Sequence, residues 1–341
     1  MEQRSKGNIY YLPIENLEQR YTKMMNDVLS PWCSFTIYPT GFENEVISNG
    51  QFLDTFRTIK FKAAQLQVVS DLFNQGTIKN GDVFLVADIF FPGIESIKYM
   101  AELSGITVHV YGFNHAGRAD DTDFVQRLGK WADKSEQGYH EICDGIFVGS
   151  VYHKGHIIDH FNYPEEKIHV TGMVWDIDWL TNVYPYGNDA KEDYCIYPHR
   201  LSPEKGTDEF FRVAEENLDI QFIVTCSGKS YSGKVPVNVT ICEQMTKKQY
   251  YEKMSKARWY LSTSNHENFG YTLQEAILYG CEICVPNRAC YPEMVPLRNL
   301  WYTHEDIQDF FHAALKGIYK VPLGYTLQHH NNAQRIIQII Q

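Results

Sequence analysis

The feature that most limits the fold of this chain is a repeated alternation of short apolar runs with stretches of helical pattern. Ile9-Tyr10-Tyr11-Leu12, Val83-Phe84-Leu85-Val86-Ala87, residues 106–111, Gly145-Ile146-Phe147-Val148 and Ile168-His169-Val170 read as strands. Helical stretches at 94–104 and 152–161 lie between them. Strands that alternate with helices predict a parallel sheet covered by helices on both faces.

The alternation is interrupted once, at Tyr184-Pro185-Tyr186-Gly187-Asn188-Asp189, a loop composition that places a domain boundary there. It then restarts. Strands are expected at 194–197, 221–225, 237–241, 259–262 and 282–285, and helices at 207–217 and 246–256. The expected organisation is therefore two doubly wound α/β domains, 1–185 and 186–341. The amphipathic tail, about 326–341, would form a last helix that crosses back to the first domain. Two such domains in tandem leave a cleft, and ligands of doubly wound sheets sit beyond the carboxyl ends of the strands. A length of 341 residues suits two domains, and 44% hydrophobic residues allow each half a core.

Charge and segment content exclude several classes. The formal charge of −11 is not that of an obvious nucleic-acid binder, which needs clustered Lys and Arg. No apolar run is long enough to span a bilayer, and the first eight residues lack a signal-peptide core, so a cytoplasmic location is expected. The eight Cys are scattered and read as reduced. Cys281 and Cys284 have a metal-like spacing, but no second pair follows and they lie in a strand pattern, so core positions are expected.

Chemistry concentrates in Ser264-Asn265-His266-Glu267-Asn268-Phe269-Gly270-Tyr271-Thr272-Leu273-Gln274-Glu275-Ala276, which follows a strand and opens a helix. Seven residues separate Glu267 from Glu275, the only such Glu pair in the chain. About 1.5 pairs are expected by chance, so the spacing by itself carries little. The setting carries more. A helix start offers N–H groups and a positive dipole end to a diphosphate, and Gly270 permits close approach of a ligand to the backbone. A carboxylate one turn further on can accept ribose hydroxyls, and one in the loop can reach sugar hydroxyls.

Glu267-Asn268-Phe269-Gly270, Glu275-Ala276, Tyr279-Gly280 and Pro286 resemble the E-x7-E region of retaining GT-B glycosyltransferases, family 4 above all. The resemblance implies that Glu275 binds the nucleotide ribose and Glu267 the donor sugar. Asn268, Phe269, Gly270 and Tyr271 would line the donor. A second stretch, Tyr197-Pro198-His199-Arg200-Leu201-Ser202-Pro203-Glu204-Lys205-Gly206, resembles the Arg…Glu-Lys-Gly segment of the same family. Arg200 and Lys205 would then bind the diphosphate. Breaking the bond from sugar to diphosphate leaves growing negative charge, which two fixed cations stabilise. Ser227, in Ser227-Gly228-Lys229-Ser230, is assigned to the nucleotide side; that stretch lacks the upstream Gly of a P-loop.

In the first half, His115 stands just after a strand, where the family carries a His at the donor sugar. Arg118 and Asp120 share its loop, and Asp88 ends another strand; these three are assigned to the acceptor side, Asp88 with an N-cap role as its alternative. The family's Gly-rich first loop is missing, since 13–22 contains no Gly. Tyr10-Tyr11-Leu12-Pro13 with Arg20-Tyr21-Thr22, and Phe91-Pro92-Gly93-Ile94-Glu95, resemble a group of bacteriophage glycosyltransferases. That resemblance implies a hydroxymethylated base in DNA as acceptor, which calls for a basic strip; Arg57, Lys60, Lys62 and Lys98 are its expected contributors. A glycan, lipid or small-molecule acceptor, a non-catalytic nucleotide-sugar-binding protein and a sugar-nucleotide epimerase are the alternatives. The donor expected is a UDP-sugar. No essential metal is expected, because Asp176-Ile177-Asp178 belongs to the pattern of a different transferase fold. The sequence is silent on oligomeric state.

Overall fold

The computed structural model describes residues 7–17, 21–42, 55–185, 190–225, 231–243, 245–295, 301–303, 305–315 and 332–341. By contacts the chain divides into two compact units. One runs up to Asp176 and takes in the final helix, and the other begins at Ile177. The expected boundary at 185/186 adjoins residues 186–189, which lie outside the described residues.

The first unit contains β1 (Ile9–Leu12), α1 (Tyr21–Leu29), β2 (Phe35–Thr36), α2 (Thr55–Asn74), β3 (Val83–Val86), α3 (Ile94–Leu103), β4 (His109–Phe113), α4 (Trp131–Ile142), β5 (Gly145–Val148), α5 (Val151–Phe161) and β6 (Ile168–Val170). Its six strands pair in parallel in the order β2-β1-β3-β4-β5-β6. Alternate residues, among them Tyr10, Leu12, Phe84, Val86, Val110, Ile146 and Val148, enter one core beneath α3 and α5. Tyr11, Leu85 and Phe147 on the opposite face are also buried. A strand buried on both faces reads as a continuous apolar run, which is why VFLV and GIFV were visible in the sequence.

The second unit contains α6 (Ile177–Val183), β7 (Glu192–Tyr197), α7 (Thr207–Glu216), β8 (Gln221–Val224), β9 (Val239–Ile241), α8 (Lys247–Lys256), β10 (Ala257–Leu261), α9 (Tyr271–Leu278), β11 (Glu282–Pro286), α10 (Tyr291–Met294), β12 (Trp301–Tyr302) and α11 (Ile307–Leu315). Its strands pair in parallel in the order β12-β11-β10-β7-β8-β9. Cys195, Tyr197, Phe222, Val224, Trp259, Leu261 and Cys284 fill the core under α7 and α11. Cys281 is buried as well, its thiol directed at the carbonyls of Met254 and Ala257.

The chain reverses its direction of strand addition between β1 and β3 in one sheet and between β7 and β10 in the other. At such switch points the loops leaving neighbouring strands diverge and leave room for a ligand. The last helix, α12 (Asn332–Ile340), belongs to the first unit. Asn332 anchors it: the side-chain oxygen accepts Trp175 N–H at 3.0 Å, and the amide nitrogen donates to the carbonyls of Thr171 and Met173.

Three strands differ from expectation. The two-residue edge strands β2 and β12 were not expected, being too short to show an apolar run. The run at 106–111 forms a strand only from His109, because Ile106 N–H still closes the end of α3 on Ala101 O and Thr107 N–H is held by Asn80.

Candidate active site

Lys205 and Glu267 come together at the β7/β10 switch point, 62 residues apart in sequence. Lys205 Nζ donates to Glu267 Oε2 at 3.1 Å and to His266 O at 3.2 Å. Glu267 Oε1 accepts Gly270 N–H at 3.3 Å, so the same carboxylate stands at the start of α9. Burial alone would raise the Glu267 carboxyl. The Lys205 ammonium beside it, by charge and by hydrogen bond, reverses the sign and holds it below the usual carboxylate range.

The loop after β7 is fixed by a knot of hydrogen bonds to the loop after β10. Tyr197 OH donates to Lys205 O at 2.6 Å, and Thr263 Oγ1 reaches the carbonyls of Lys205 and Gly206 at 2.9 and 3.0 Å. Gly206 has φ of 69°, and a Cβ there would lie 2.1 Å from Thr263 O, so only glycine fits this turn. Arg288 locks the other side, donating to Glu209 Oε2 at 2.7 Å and to the carbonyls of Thr263 and Ser264.

Arg200 lies on the same loop, nearly half exposed at 45%, with Nη2 3.0 Å from Glu204 Oε1. His199 before it is buried, with Nε2 3.4 Å from Tyr260 OH. Burial and the neighbouring Lys205 push the imidazole down to about 3, so it is neutral under ordinary conditions.

Glu275 lies in the second turn of α9, 6% exposed. Each of its carboxylate oxygens accepts a phenol: Oε1 from Tyr251 at 2.7 Å and Oε2 from Tyr250 at 2.5 Å. Asn268 and Phe269 are buried in the turn before α9. His266 Nε2 sits 3.1 Å from Asn268 Oδ1, and the Phe269 ring meets Tyr271 edge-on. Gly270 caps the helix at φ 74°. Ser227 lies outside the described residues.

The first unit has its own polar cluster, at the β1/β3 switch point. Asp88 accepts Lys62 Nζ at 2.6 Å and Phe90 N–H at 3.1 Å. His115 Nε2 is 2.8 Å from Ala87 O, which can only accept, so that nitrogen carries the proton. Burial lowers the His115 pKa against the opposing pull of Asp88. Burial would raise Asp88, but Lys62 and His115 hold it low. Arg118 forms a two-point pair with Asp133 at 2.9 and 3.2 Å. Asp120 accepts the backbone N–H and the hydroxyl of Thr122, both at 2.9 Å.

Two expected members of a basic strip are engaged internally. Lys62 is 3% exposed and paired with Asp88, and Lys98 is paired with Asp144 at 2.6 Å. Lys60 lies 5.7 Å from the Phe42 ring.

Sequence reasoning missed Tyr250, Tyr251 and Arg288, whose partners are 25, 24 and up to 79 residues away. The sequence assigns His199 no role; its place just after the strand at 194–197 was the available signal. No group of His, Cys, Asp and Glu able to hold a metal ion occurs among the described residues.

No family model matches the chain. It is 28% identical over 130 residues to the tRNA-queuosine alpha-mannosyltransferase of Drosophila melanogaster, a match that covers 34% of each chain. The chain thus spans about a third of that curated relative. Among solved structures it resembles the sucrose-phosphate synthase of Thermosynechococcus elongatus (TM-score 0.63, 11% identity, 98% of this chain and 95% of that one). It also resembles HepE of Anabaena in complex with UDP and glucose (0.60, 14%, 97% and 94%). A glycosyltransferase of Rickettsia africae matches similarly (0.63, 10%, 98% and 98%). At these identities the likeness is one of fold, and the fold is GT-B.

Proposed function

We propose that the chain is a retaining glycosyltransferase that binds a nucleotide-sugar, in the first instance a UDP-sugar, on its second unit and passes the sugar to an acceptor hydroxyl. The observation that carries this reading is the meeting of Lys205 and Glu267 at 3.1 Å beside the start of α9, with Glu275 one turn on. Structural neighbours that hold UDP and glucose on the same fold support it.

In this reading Glu275 takes the ribose, Arg200 and Lys205 the diphosphate, and Glu267 the sugar, together with Asn268, Phe269, Gly270 and Tyr271. The bond from the anomeric carbon to the diphosphate breaks while the acceptor oxygen bonds to the same face of that carbon. The acceptor's proton passes to the departing phosphate oxygen. Such a route needs no covalent nucleophile, so catalysis rests on positioning and on charge stabilisation by the two cations. By the family resemblance His115 is proposed as a donor-sugar residue, and Asp88, Arg118 and Asp120 as acceptor-side residues. Of these, Arg118 is already committed to Asp133, which favours a part in shaping its loop.

The acceptor proposed from sequence is a hydroxymethylated base in DNA. The internal pairing of Lys62 and Lys98 weakens the expected basic strip. A second reading, a hydroxyl on a modified nucleoside of tRNA, is favoured by the relative that acts on queuosine.

The test is transfer assayed with a panel of nucleotide-sugars against hydroxymethylated DNA, queuosine-containing tRNA, glycan and lipid acceptors. Glu275→Ala is expected to raise the donor KM about tenfold or more, while Arg200→Ala lowers kcat with little change in KM. Full activity in the double variant would refute the site. Release of nucleotide with no acceptor product would point to hydrolysis or epimerisation.

A further inference from the structure

Glu275 is buried, yet its partners among the described residues are neither a cation nor backbone N–H groups. They are the phenols of Tyr250 and Tyr251, adjacent residues of α8. Adjacent residues on a helix point about 100° apart, so both reach one carboxylate only if it lies between them, close to the helix surface. The rings are themselves held. Tyr251 packs on Tyr184 at 4.3 Å and on Tyr279 at 5.7 Å between centroids. Lys247 Nζ sits 5.1 and 5.4 Å from the two ring centroids. Tyr279 OH in turn donates to Tyr184 O at 3.0 Å. Burial next to Glu275 pushes both phenols well above their ordinary range, so they remain donors at any working pH.

A carboxylate offers about four acceptor positions, two on each oxygen. The two phenols take one on each. The positions left over are also one on each oxygen, and their direction is set by the tyrosines. That arrangement suits a ligand presenting two neighbouring hydroxyls.

Resting on the reading of Glu275 as the ribose group, we propose that Tyr250 and Tyr251 are positioning residues that orient the Glu275 carboxylate for the vicinal hydroxyls of the donor's ribose. They act through Glu275 and set the preference for a ribonucleotide over a deoxyribonucleotide.

The experiment measures binding of UDP, 2′-deoxy-UDP and 3′-deoxy-UDP, and of the matching GDP set, to the full chain and to its Tyr250→Phe, Tyr251→Phe and Glu275→Ala variants. Phenylalanine keeps the rings and their packing, and thermal unfolding checks that the variants are folded. The full chain is expected to prefer UDP over each deoxy form about tenfold or more, the usual weight of a hydrogen bond to a charged group. In the Tyr→Phe variants that preference is expected to fall to about threefold or less, with affinity for the deoxy forms nearly unchanged. A merely structural role would weaken all three ligands alike and leave the preference intact; that result overturns the proposal. Loss of preference in Glu275→Ala with full preference in both Tyr variants overturns it while sparing the ribose assignment. Absence of any ribose preference in the unaltered chain, or of any UDP or GDP binding, removes the assignment and the proposal together.

Discussion

Two buried glutamates show how a partner decides the sign of a shift. Glu267 is held low because the Lys205 ammonium outweighs its burial. Glu136, in α4 and 1% exposed, shows the opposite outcome: its Oε2 accepts Arg118 N–H at 2.8 Å and the Arg118 charge pulls it down, but burial outweighs both and pushes its carboxyl up to about 8. A carboxyl raised in the folded state binds its proton more tightly there than in the unfolded chain. Its effect on stability is therefore neutral below the ordinary value of 4.5 and grows more unfavourable as pH rises to about 8. Glu136→Gln, which mimics the protonated acid, is expected to match the unaltered protein near pH 4 and to exceed it near pH 9 by on the order of 3 kcal/mol. Urea denaturation across that range checks this, and a difference that does not vary with pH would contradict it.

At the scale of elements, the inner strands were legible because burial on both faces writes an unbroken apolar run, whereas the two-residue edge strands β2 and β12 were not. The helices were less so. α2 extends over 20 residues with only five of its residues buried, and α1 and α4 likewise escaped notice. α8 announced itself better: Thr246 and Gln249 form a reciprocal capping box at its start. The final helix depends on one side chain. Asn332 satisfies Trp175 N–H and two carbonyls within a buried turn, so Asn332→Ala leaves buried backbone groups unpaired. It is expected to destabilise the first unit by about 1–3 kcal/mol. Chemical denaturation followed by tryptophan fluorescence, reporting the buried Trp175, measures the change.

At the scale of the molecule, each unit has its own sheet and core, and the groups proposed for the nucleotide and diphosphate, Glu275, Arg200 and Lys205, belong to the second. Ligand that binds only the folded form stabilises it by about 2.7 kcal/mol at a hundredfold excess over Kd. Saturating UDP is accordingly expected to slow hydrogen exchange in β7, β10 and α9. No added protection at those amides would count against a nucleotide site on this unit.

The sequence by itself determined the two doubly wound sheets, since period and apolar run length reflect burial that each strand must satisfy locally. It also marked Arg200, Lys205, Glu267 and Glu275, because loops at strand ends and helix starts are written in contiguous residues. The tertiary structure alone decided what those groups meet. That Lys205 pairs with Glu267, that two phenols take up Glu275, and that Lys62 and Lys98 turn inward to Asp88 and Asp144 depends on chain crossings of 24 to 62 residues. No local pattern encodes such encounters, because hydrogen bonds and ion pairs act over a few ångströms of space and are indifferent to distance along the chain.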